Sequence, residues 1–162
     1  MKILLLLMLY LLTWGQPTKQ ELKDLESDAI VFGNGANRVY AFLDPMCSVS
    51  QHYLELISSN ETFLKTNTYY IFLHRLEKFD SDELIDSIYM AHDRKKALID
   101  NMLFGQKIEL KFASDEVERL RTRIRTVANK TQMKQRPYIL MYKLGDDICD
   151  VREGSAACMI LR

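Results

Sequence analysis

Short, dense apolar runs alternate along this chain with stretches whose apolar positions recur at helical spacing. Glu21 to Leu25 is charged, helical or irregular, and gives way to Ala29-Ile30-Val31-Phe32, a strand-like run that Gly33-Asn34-Gly35 ends. Arg38-Val39-Tyr40-Ala41-Phe42-Leu43 has the β-branched and aromatic content of a strand buried on both faces, and Asp44-Pro45 stops it. Over Ser48 to Ser58, Val49, Tyr53, Leu56 and Ile57 fall at helical spacing and predict a helix with an inward apolar stripe. Thr68 to Leu73 is a further buried strand. Strand, helix, strand predicts a right-handed βαβ unit with parallel strands.

Beyond that unit the period changes. Ser81-Asp82-Glu83 predicts an N-cap with an acidic first turn, and Leu84, Ile85, Ile88, Tyr89, Ala97, Leu98 and Met102 predict unbroken helix to Gly105. Ser114-Asp115-Glu116-Val117 opens a second helix through Val127, so a helical layer or insertion occupies about 81–128. Arg136-Pro137 then precedes the run Tyr138 to Tyr142, which turns through Gly145-Asp146-Asp147 into Ile148 to Arg152 and predicts an antiparallel hairpin. These buried strands exclude an all-helical bundle. A doubly wound nucleotide fold is excluded too, because no glycine-rich loop follows the first strand.

Composition narrows the class. The 162 residues hold one domain, and 22 basic side chains balance 22 acidic ones, so no long-range field draws the protein to nucleic acid or to an anionic membrane. Met1-Lys2, the apolar run Ile3 to Leu12 and Thr13-Trp14-Gly15 read as a signal peptide over 1–15. That run is about half of the roughly 20 residues a membrane span needs, which disfavours a stable anchor. The expected organisation is an N-terminal segment 16–28 followed by one domain over 29–162.

Export makes the three cysteines informative, because disulfides persist outside the cytosol and an odd count leaves one thiol over. Cys149 and Cys158 lie near the C-terminus, where a bridge would stabilise by about 2 to 3 kcal/mol, or where two buried thiols never meet; both readings stand. Cys47 is the odd one out, at a predicted strand-to-helix junction. Helix N-termini carry unpaired N–H donors and a partial positive charge that favour thiolate, the form that attacks a disulfide. The competing reading of Cys47 is a small, inert, buried side chain.

Gly33-Asn34, Phe42-Leu43-Asp44-Pro45-Met46-Cys47 and Arg136-Pro137 resemble the active-site region of bacterial periplasmic thiol-disulfide proteins, the DsbC and DsbG isomerases and their relatives. Ala91 to Leu98 is loosely similar to the insertion helix of the isomerase branch. The predicted element order is likewise that of the thioredoxin fold, an α/β architecture of βαβ, helical insertion, ββ hairpin and a short C-terminal segment. The resemblance covers about 29–154. It implies a periplasmic protein in which Cys47 attacks substrate disulfides and Pro137 is a cis-proline beside it, with Arg136 in the preceding slot where substrate backbone pairs. Serine stands at position 50, where the family has its second, resolving cysteine, and the isomerases' N-terminal dimerisation domain has no room here. Ser50 lacks the sulfur to resolve a mixed disulfide, but its hydroxyl is one turn from Cys47 and able to donate to the thiolate.

Two function classes follow: a monothiol isomerase-like or thiol-protecting factor acting on exported proteins with cysteines, or a non-catalytic module that binds an extended peptide segment in an envelope, secretion or conjugation assembly. No cofactor is implied. His52, His74 and His92 stand in separate elements without metal-ligand spacing, so no metal site is expected. Asp44 reads as a turn residue, and the arginines from Arg119 to Arg125 as a solvated helix face rather than a docking site for an acidic partner.

Overall fold

A computed structural model describes residues 16–142 and 150–159. Five strands, β1 (Ile30–Gly33), β2 (Asn37–Leu43), β3 (Asn67–Leu73), β4 (Tyr138–Tyr142) and β5 (Asp150–Glu153), form one sheet in the order β1-β3-β2-β4-β5. The run with apolar side chains on both faces, β2, lies at the centre, buried from Val39 to Leu43. It pairs in parallel with β3, Phe42 facing Phe72, and antiparallel with β4, Phe42 facing Tyr138. The edges are β1, antiparallel to β3, and β5, antiparallel to β4.

Helix α1 (Lys19–Asp24) precedes the sheet, held by a capping box between Thr18 and Glu21. The β2-to-β3 crossover contains α2 (Ser48–Ser58) and α3 (Glu61–Thr66). The buried stripe of α2 is Ser50, Tyr53, Leu54 and Ile57, shifted from the predicted one, with Val49 and Leu56 only partly buried. At the other end of the unit, Gly33 adopts φ +75°, and a Cβ there would meet the carbonyl oxygens of Asn67 at 2.3 Å and Leu64 at 2.6 Å. Only glycine fits this turn against the crossover.

The helical layer differs from expectation. The unbroken helix predicted to Gly105 is two helices, α4 (Asp82–Met90) and α5 (Arg94–Phe104), interrupted at 91–93. Ala91 is extended, the Asp93 side chain caps α5 by accepting from the Lys96 N–H at 2.9 Å, and Arg94 Nε donates to the Tyr89 carbonyl at 2.8 Å. These side chains satisfy the helix-end groups that a continuous ladder would have used. Helix α6 (Asp115–Lys130) starts at its predicted Ser114 cap, whose Oγ accepts from the Val117 N–H. Its arginine face is not simply solvated: Arg121 pairs with Asp82 and Asp86, and Arg123 grips Asp28 through two bonds of 2.6 and 2.7 Å. Arg119, Arg123 and Arg125 are exposed, and Arg125 lines a small pocket together with His74 and Arg121. A short α7 (Ser155–Met159) follows β5. No helix among the described residues is long and apolar enough to cross a membrane.

Candidate active site

The centre of the sheet ends in a chain reversal built by one carboxyl. Asp44 follows β2 and is fully buried; its Oδ1 accepts from the Met46 N–H at 2.8 Å, closing an Asx turn over Pro45. Oδ2 accepts from the Leu76 N–H at 2.6 Å and the Ser81 hydroxyl at 3.1 Å. The expected turn role is therefore one part of a wider one, because Asp44 also anchors the segment after β3. Ser81 occupies the predicted N-cap position of α4 but makes no side-chain cap bond, its hydroxyl being turned to Asp44.

Cys47 is the N-cap residue of α2, with extended backbone, and its N–H donates to the Asp44 carbonyl at 3.0 Å. No side chain caps this helix start. The sulfur, on a residue 5% exposed, lies 3.7 Å from the carbonyl oxygen of Arg136, to which the S–H donates. Positions 47 and 136 meet because β4 pairs with β2 up to Tyr138 opposite Phe42, which carries the residues just before β4 to the same sheet end as those just after β2. The Arg136–Pro137 peptide bond is cis.

Ser50 is fully buried, and its Oγ accepts from the Asp44 N–H at 3.3 Å. Its hydrogen bond thus runs to the β2 terminus and not to the Cys47 sulfur. Arg136, read from the chain as a substrate contact, is 4% exposed, and its guanidinium faces backbone: Nε donates to the His74 carbonyl at 3.1 Å, Nη1 to that of Gln135 at 3.0 Å and Nη2 to that of Arg75 at 3.4 Å. Burial pulls this guanidinium down to about 10, against the charges of Asp44, Cys47 and Glu153, which hold it up. It remains a cation at neutral pH.

Of the three histidines expected to play no part in a site, His74 lies at this one. It follows β3, its N–H donates to the Leu43 carbonyl at 2.8 Å, and it is half-buried. Burial lowers its imidazole to about 4, helped by the charges of Arg136, Arg121 and Arg125 and opposed by Asp82. It is neutral at pH 7. The available signal was its place next to a strand buried on both faces. His52 is exposed against Glu55, and His92 lies in the break between α4 and α5. Among the described residues no three His, Cys, Asp or Glu side chains gather as metal ligands.

Cys47 opens onto a groove of about 790 Å³ between two walls, residues 74–78 and 133–136, with Val49 and Gly154 also lining it. Cys158 is buried on α7, against α2. Cys149 lies outside the described residues, and with it the expected Cys149–Cys158 pairing; so does the stretch 1–15 that the sequence suggests is a signal peptide.

Neither a protein-family model nor a curated protein sequence matches the chain. Solved structures do. A disulfide interchange protein from Neisseria gonorrhoeae superimposes with a TM-score of 0.62 at 17% identity, over 84% of this chain and 94% of that one. ScsC from Proteus mirabilis, in a compact conformation, gives 0.64 at 12% identity over 91% and 79%, and its catalytic domain 0.53 at 13% over 89% and 96%. With its central parallel pair, antiparallel flanks and inserted helices, the chain has the thioredoxin fold expected from its order of elements.

Proposed function

We propose that this is an exported, periplasmic protein that exchanges disulfides through one thiol, Cys47, with no partner cysteine in its motif. The observation that carries the reading is the placement of that sulfur: at the uncapped N-terminus of α2, on a groove, with the buried Arg136 cation beside it. The structural likeness to disulfide interchange proteins supports it.

In this reading the Cys47 thiolate attacks one sulfur of a substrate disulfide. A bond forms from Cys47 Sγ to that sulfur, the old S–S bond breaks, and the departing substrate thiolate takes up a proton. Ser50 has no sulfur to displace the adduct, so a second substrate thiolate attacks it, forming a new substrate disulfide and returning Cys47 as thiolate. Electrons balance without an external oxidant or reductant, which makes the cycle an isomerisation of exported proteins with several cysteines.

The test is trapping. A protein carrying Cys47 is expected to form mixed disulfides with a peptide disulfide and to react with an alkylating agent faster than a free thiol of pKa about 8.5. Absence of adducts together with slow alkylation refutes the reading. A second reading is favoured by the near-complete burial of the sulfur: a binding or assembly module that holds an extended segment in the groove beside Pro137. Replacing Cys47 by Ser separates the two, since only thiol chemistry is lost.

A further inference from the structure

The charges around the groove are uneven, and their partners show which ones remain available. Among the lining side chains, Arg75, Lys78, Lys134 and Arg136 are cationic and Glu77 is the acidic one. Arg136 is engaged with backbone carbonyls, and Arg75 pairs with Asp82 at 2.7 Å and Asp80 at 3.8 Å. Glu153, the carboxylate beside the second wall, accepts from the N–H groups of Lys134 and Gln135, both at 3.3 Å. His74 adds no charge at neutral pH. Lys78 and Lys134 are left, one on each wall, both exposed and neither within ion-pair distance of a carboxylate among the described residues. Lys78 Nζ instead stands 4.9 Å from the ring centroid of Phe79.

We propose that the groove selects an acidic peptide segment, with Asp or Glu side chains on either side of the residue that faces Cys47, read by Lys78 and Lys134. Lysines on two separate lining segments fit carboxylates that are separated along a chain. Glu77, exposed on the first wall, repels a third carboxylate there and so limits how many are accepted. The inference deepens the reading of Cys47 as the reacting centre, but the charge preference stands on non-covalent contacts.

The experiment uses three peptides of one sequence whose residues flanking a cysteine are Glu, Gln or Lys, each linked by a disulfide to a chromophoric thiol that is released on attack. The full chain is expected to react with the Glu peptide about 2 to 5 times faster per lysine than with the Gln peptide, and slowest with the Lys peptide, the spread collapsing near 0.5 M salt. The paired change Lys78→Glu and Lys134→Glu reverses the order, and because both positions are exposed the variant folds. Fluorescence anisotropy of the same peptides with serine in place of cysteine reads the preference without chemistry. Equal rates and equal affinities for the three peptides, or an order unchanged in the charge-reversed variant, overturn the proposal while leaving Cys47 reactive. Preferential binding of the Glu peptide with no thiol released from any of them supports the groove assignment and refutes the thiol reading. Binding of citrate as tight as that of the Glu peptide also overturns it, since the site then reads charge and not a peptide.

Discussion

Replacing His74 by glutamine should remove a pH-dependent part of the protein's stability. In the folded protein the imidazole is held at about 4, chiefly because burial disfavours its charged form and because Arg136, Arg121 and Arg125 repel it, whereas the ordinary value is 6.5. Between these values the unfolded chain binds a proton that the folded protein does not. Stability therefore falls as the pH falls: the contribution is fully present above 6.5 and is lost as pH drops through about 4. The interval from 6.5 down to about 4, at about 1.36 kcal/mol per pH unit, makes the full swing on the order of 3 kcal/mol. Acidic residues titrate in part of the same window, but they are common to both proteins, so the difference between the wild type and His74→Gln isolates this group. Urea unfolding followed by circular dichroism from pH 4 to 7.5 should give a stability difference that changes by a few kcal/mol across the window. A difference that stays flat, or an imidazole that titrates near 6.5 by NMR in the folded protein, refutes the reasoning.

Two further outcomes are expected. Asp44→Ala leaves the Met46 N–H, the Leu76 N–H and the Ser81 hydroxyl without their acceptor, and should cost about 2 to 4 kcal/mol in denaturant unfolding while speeding hydrogen exchange of the Leu76 amide; unchanged exchange there would remove Asp44 as the anchor of that segment. Ser50→Cys places a second sulfur one helical turn from Cys47 and should form an internal disulfide, lowering the titratable thiol count and shortening the life of mixed disulfides; a mixed disulfide as persistent as in the wild type would show that position 50 does not reach the adduct.

The elements that burial dictates could be read along the chain, since alternation and helical spacing record which side chains must leave water. That is why β2, the α2 region and the hairpin strand Tyr138 to Tyr142 were evident, and why Cys47 could be placed where a strand passes into a helix. The break at 91–93 was not evident, because no glycine or proline marks it and the cap from Asp93 and the Arg94 bond to Tyr89 compete with a helix that the apolar spacing continues. Nor was the hydroxyl of Ser81, drawn from its local cap by a carboxyl 37 positions away. Hydrophobic pattern is a local record, whereas a polar group takes whichever partner the fold brings near. So the chain alone determined the strands, the helix start and the sulfur that sits on it. The tertiary structure decided what that sulfur faces: the β2–β4 register set the Arg136 carbonyl opposite it, and three converging backbone carbonyls drew the Arg136 guanidinium out of solvent.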